Sequence, residues 1–93
     1  MRNLRDRPRS RAVDEQAERW RAIAAQVAEQ RRARQLSQHA LADLCGTTQS
    51  AVARLERGAR PPRLDTLLRI ANALDCELIV QLRQRTKTRK ETR

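Results

Sequence analysis

Apolar positions recur with a helical period over four stretches of the chain and then alternate over a fifth. Asp14 can cap a first helix, with Glu15 and Glu18 suited to the positive end of its dipole. Ala17, Trp20, Ile23/Ala24, Val27 and Ala28 follow on one stripe, and the pattern runs to about Gln35. Trp20 has two readings, a packed core residue or a contact for a partner, and packing is preferred for a single aromatic on an apolar stripe. Ser37 caps a second helix whose apolar face is Leu41, Ala42, Leu44 and Cys45, closed at Gly46 by a cheap positive φ. Thr48 caps a third helix carrying Val52 and Leu55 and ending at Gly58. Ala59-Arg60-Pro61-Pro62 cannot be helical, because each proline restricts its own and the preceding backbone. A fourth helix is predicted over Leu64–Leu74, with Leu64, Leu67, Leu68, Ala71 and Leu74 inward and an Asp65–Arg69 pair on its surface.

The period then switches from helical to alternating. Cys76 to Leu82 reads as a strand with Leu78, Val80 and Leu82 on one face. A lone strand cannot satisfy its own backbone groups, so the economical partner is the same strand of a second copy across a two-fold axis. Leu78, Ile79, Val80 and Leu82 are therefore the expected dimerisation residues. The competing reading is a last helical turn continuing from the fourth helix.

Gln38 to Arg57 has the spacing of a helix-turn-helix. Leu41, Ala42, Cys45, Val52 and Leu55 face the core, Gly46 makes the turn, and Ala42 is small where the two helices cross. The run Leu36-Ser37-Gln38, Leu41-Ala42, Gly46-Thr47-Thr48-Gln49-Ser50, Arg54-Leu55-Glu56-Arg57-Gly58, Pro62, Leu64 to Leu68, Ala71 and Leu74 resembles the Cro and phage-repressor (XRE) helix-turn-helix family. The resemblance covers about residues 23–75. It departs at Thr47, where the family more often has Val or Ile, and at Gln30, where a small or apolar residue is usual. The helix-then-strand ending is similar to that of HipB-like antitoxins. The fold implied is all-α, a lambda-repressor-like domain of four to five helices with one short C-terminal β-strand pairing across a dimer.

On that reading the recognition helix runs from Gln49 to about Glu56. Gln49, Ser50, Ala53 and Arg54 share its exposed side. A glutamine can bond an adenine edge in bidentate fashion, a serine either base type, and an arginine the O6/N7 edge of guanine. Glu56 or Glu29 is a competing ion-pair partner for Arg54. The resemblance puts Gln38 on a phosphate and against Gln49. Thr48 and the helix N-termini add phosphate donors. Arg57, Arg60 and Arg63 flank the helix as backbone contacts, or as an ordinary solvated basic loop.

Composition sharpens this picture. The 93 residues hold 21 Lys+Arg and 11 Asp+Glu, a net charge of +10. Residues 1–13 carry a net +4 and residues 83–93 a net +5, leaving the middle nearly neutral. We therefore expect a basic, flexible N-terminal tail over 1–13, a domain over 14–82 with its core motif at 38–57, and a basic, flexible C-terminal tail over 83–93. Such tails attract polyanions or serve only solubility. No apolar run approaches the roughly 18 residues of a spanning helix, and no apolar stretch follows Met1–Arg7, so neither membrane insertion nor export is expected. Cys45 and Cys76 are expected as reduced thiols in a cytoplasmic protein, Cys45 in the core. His39 is the only imidazole and is expected as a surface residue, so no metal and no cofactor are expected. The chain has no paired-carboxylate, Ser-His or Gly-rich phosphate arrangement, so an enzyme is not expected.

The sequence thus predicts a homodimeric transcriptional repressor that binds double-stranded DNA at an inverted repeat, with autoregulation implied by the family. Two alternatives stand beside it. One is an antitoxin whose main task is to bind and neutralise a toxin protein. The other is non-specific DNA binding through the tails.

Overall fold

The computed structural model describes the backbone of residues 11–86 and the side chains of 13–86. Within that range the chain forms four helices, α1 (Arg11–Ala33), α2 (Gln38–Cys45), α3 (Gln49–Arg57) and α4 (Leu64–Ala73). The helical pattern read from sequence is met, with small shifts. α1 begins at Arg11, so residues 11–13 belong to the helix and not to the expected tail. Residues 1–10 and 87–93, which hold most of both expected tails, lie outside the described residues.

Both predicted hydroxyl caps are in place. Ser37 Oγ accepts from Ala40 N at 2.9 Å, and Thr48 Oγ1 accepts from Ala51 N at 3.2 Å. Three helices end alike. At α2, Gly46 (φ 69°) turns left-handed, Gly46 N donates to Asp43 O and Thr47 N to Ala42 O. α1 and α4 close the same way without glycine, through Gln35 (φ 58°) and Asp75 (φ 54°). Composition does not flag either position, because the favourable backbone bonds outweigh a local cost of about 1–2 kcal/mol.

The core joins Val27 of α1, Leu41, Ala42 and Cys45 of α2, Val52 of α3, and Leu67, Ile70 and Leu74 around α4. Ile23, Leu36 and Leu55 pack at its edge. Trp20 is half-buried. It lines a shallow apolar hollow with Ile23, Pro61, Pro62, Leu64 and Leu67. Gly58 sits against α1: a Cβ there would lie 3.1 Å from Arg21 Cα and 3.2 Å from Ala24 Cβ. The ERG turn therefore packs directly on the first helix.

Three leucines expected inside are outside. Leu44, Leu64 and Leu68 are all more than half exposed. At about 100° per residue the buried stripes are narrow. Leu41, Ala42 and Cys45 fill that of α2, and Leu67, Ile70 and Leu74 that of α4, so the three fall off its edge. Ile70 takes a buried place that the pattern did not assign. Asp65 pairs with Arg63, not with Arg69 as expected.

The predicted strand is absent from the single chain. Residues 76–86 have no regular secondary structure. Leu78 packs against the chain's own core, while Ile79, Val80 and Leu82 are exposed. The expected face of Leu78, Val80 and Leu82 is thus split. An extended segment needs a neighbour for its backbone groups, and the described residues offer none. A helical continuation is excluded as well, because Asp75 turns left-handed and Cys76 N closes onto Ala71 O at 2.8 Å. Among the described residues, no helix is long and apolar enough to cross a membrane.

Candidate nucleic-acid interface

The α2–turn–α3 unit is rigid because its turn is held at both ends. Gly46 and Thr47 close α2, Thr48 opens α3, and Val52 anchors α3 in the core. This leaves Thr48, Gln49, Ser50 and Arg54 exposed and Ala53 half-buried. The Thr48 hydroxyl spends its acceptor side on Ala51 N, and its proton remains available to an incoming phosphate.

Beneath α3's outer surface runs a chain of hydrogen bonds. Gln49 Nε2 donates to Gln38 Oε1 at 3.0 Å, and Gln38 Nε2 donates to Glu56 Oε1 at 3.0 Å. Glu56 is held in turn by Arg31, whose Nε lies 2.7 Å from Oε2 and whose Nη2 lies 3.0 Å from Oε1. Arg31 Nη1 also donates to Leu36 O at 2.8 Å, tying the loop between α1 and α2 into the same network. The two charged side chains are only 11% and 6% exposed.

Burial pushes the Glu56 carboxyl up. The hydrogen bonds from Arg31 and Gln38, with the charges of Arg31 and Arg32, more than reverse this and hold it below the ordinary glutamate range. The Glu56 hydrogen bond raises the Arg31 guanidinium against the cost of its burial. Both groups are therefore charged at neutral pH.

The expected contact between Gln38 and Gln49 is present. The competition expected for Arg54 is resolved: Glu56 is taken by Arg31, and Arg54 has no ion-pair partner among the described residues. Arg57 and Arg60 are equally unpaired there, whereas Arg63 is forked onto Asp65 at 3.1 Å. These four arginines line an open groove of about 650 Å³ between the end of α3 and the start of α4. Pro61 and Pro62 line the same groove, and a surface carrying several guanidiniums suits phosphate oxygens.

Arg31 was missed by the sequence reading, and Glu56 was noted only as a rival for Arg54. One signal was available: Arg31 continues the stripe of Val27 and Ala28, a charged residue at a buried position. Its partner is twenty-five residues away, beyond the reach of local spacing.

The helix-turn-helix family model matches residues 27–80. The chain belongs to the helix-turn-helix family. That family is a DNA-binding module of transcriptional regulators, and the resemblance read from the motif is thereby established. The chain is 38% identical over 58 residues to an uncharacterised HTH-type transcriptional regulator, y4dL, of Sinorhizobium fredii, a match covering 62% of this chain and 30% of that protein. It thus spans less than a third of that relative. The helix-turn-helix domain is also similar to the crystal structure of the restriction-modification controller protein C.AhdI from Aeromonas hydrophila. The TM-score is 0.62 at 38% identity, covering 66% of this chain and 88% of that one.

The remaining candidates fall away from this face. Cys45 is buried in the core, and burial raises its thiol. Cys76 lies beside Gln30 and Arg34 near the end of α4. His39 is exposed near Asp43. Among the described residues, no three His, Cys, Asp or Glu side chains gather as a metal set.

Proposed function

We propose that the protein is a sequence-specific transcriptional repressor that binds an inverted-repeat operator as a homodimer and regulates its own promoter. The observation that carries this reading is the outer face of α3. Gln49, Ser50 and Arg54 are exposed on it, Gln49 is held from below through Gln38, and two further unpaired arginines, Arg57 and Arg60, stand alongside. Base-reading groups are thus braced, and phosphate-binding groups are free, on one continuous surface. Gln38, Thr48, Arg57 and Arg60 serve the backbone, and Ala53 allows close approach to the groove floor.

In a dimer the two recognition helices enter successive major grooves about 34 Å apart. The exposed apolar residues Ile79 and Val80, with Leu82, are the surface we assign to dimerisation, as an intermolecular strand. The protein acts in the cytoplasm, on the chromosome, as a binding protein without catalysis of its own. The similarity to a restriction-modification controller favours control of an operon over toxin neutralisation.

The test is fluorescence anisotropy with the protein's own upstream DNA and a scrambled fragment of equal length, over a salt series. Tight binding to the upstream DNA alone at physiological salt supports the reading. Equal binding to both, lost steeply as salt rises, means phosphate neutralisation only and overturns it.

A further inference from the structure

Glu56 is shielded from the outer face of α3, yet it dictates the chemistry offered there. An ionised carboxylate only accepts hydrogen bonds. Its Oε1 takes one from Arg31 and one from Gln38 Nε2. The Gln38 amide therefore has a single orientation, with its NH₂ toward Glu56 and its carbonyl toward Gln49. Gln38 Oε1 then accepts from Gln49 Nε2. One Gln49 N–H is used, and what remains is one carbonyl acceptor and one N–H donor. That pair matches the N6–H donor and N7 acceptor of adenine, whereas the O6 and N7 acceptors of guanine call for two donors.

We propose that Glu56 is a specificity-determining positioning residue: through Gln38 it fixes the polarity of the Gln49 amide and makes that side chain read adenine in preference to guanine. The inference rests on the DNA-binding reading above. Glu56 itself touches no base. Arg31 supports it by keeping the carboxylate charged and in place.

The proposal makes an unusual demand of the charge-reversed pair Arg31→Glu/Glu56→Arg. A guanidinium at position 56 has only donors, so Gln38 must turn its carbonyl toward it. Gln38 flips, its NH₂ now meets the Gln49 carbonyl, and both Gln49 N–H groups are left for the base. A role in bracing alone predicts weaker binding with the same base preference.

The full chain and its variants are used to select sites from a randomised duplex library, and the selected duplexes are titrated by anisotropy. The position read by Gln49 is the one whose base preference disappears in Gln49→Ala. The wild type is expected to favour adenine over guanine there by about tenfold or more. Arg31→Glu/Glu56→Arg, checked for folding by thermal melting, is expected to move that preference to guanine. Should that variant fail to fold, Arg31→Met/Glu56→Leu decides: it keeps both glutamines and frees Gln38 to flip, so the adenine preference is expected to fall to within about threefold. Guanine preferred by the wild type, or adenine preference unchanged in a folded variant, overturns the inference while leaving the DNA reading intact. Failure of the wild type to enrich any site overturns both.

Discussion

Arg31 and Glu56, twenty-five residues apart, meet in a two-pronged ion pair that joins the end of α1 to the end of α3. The pair is enclosed between the helices, and its carboxylate also holds Gln38 at the start of α2. Three helices of the DNA-facing unit thus share one charged junction. The geometry of the recognition surface depends on a contact that is itself hidden from DNA.

Removing one partner of such a pair strands a buried charge. Arg31→Met is expected to cost about 3 kcal/mol or more, read as a lower urea midpoint. Arg63→Ala breaks a pair whose side chains are 79% and 57% exposed, and is expected to leave the urea midpoint nearly unchanged. Equal losses would show that the buried junction is no more important than a surface contact.

Acid should act through the same junction. The Glu56 carboxyl is held below its ordinary value of 4.5, so its contribution is complete above that pH and is lost as pH falls through the lowered folded value. Arg31→Met/Glu56→Leu lacks this group and is expected to show a shallower loss of stability in acid. Parallel pH–stability curves for the two proteins would contradict that origin.

The two glycines predict different penalties. Both have φ of 69°, so alanine at either carries a left-handed strain of about 1–2 kcal/mol. At Gly46 a Cβ meets nothing within 4 Å, whereas at Gly58 it presses on Arg21 Cα and Ala24 Cβ. Gly58→Ala is therefore expected to cost about 1–3 kcal/mol more than Gly46→Ala in matched denaturant titrations.

Gln49→Ala removes an exposed side chain from α3 without touching the core. Its expected effect is a loss of about 1–3 kcal/mol in operator binding, with non-specific binding and thermal stability nearly unchanged. Anisotropy on operator and scrambled duplexes separates the two, and an equal loss on both would count against base reading.

Val80 is 67% exposed in the single chain, so an aspartate there should not harm the fold of the protomer. In the proposed dimer it would bury a charge. Val80→Asp is expected to give monomers by light scattering. A dimer of unchanged mass would move the interface elsewhere, to the exposed Leu64 and Leu68 of α4 or to the Trp20 side of α1.

Local chemistry explains what the sequence by itself determined. The four helices, the Ser37 and Thr48 caps, the Gly46 and Gly58 stops and the α2–turn–α3 unit follow from neighbours within a few residues, as hydroxyl caps and positive-φ glycines do. The exposed side of the recognition helix follows from helical period once Val52 and Leu55 are taken as inward. Tertiary structure decided the rest. Which leucines are buried depends on how wide a stripe each neighbouring helix can cover, so Leu67 and Ile70 are inside and Leu68 is out. Whether 76–82 pairs as a strand depends on a partner that a single chain does not contain. The Arg31–Glu56–Gln38–Gln49 chain exists only because folding brings the end of α1 against α3, and no local spacing encodes a hydrogen bond across twenty-five residues.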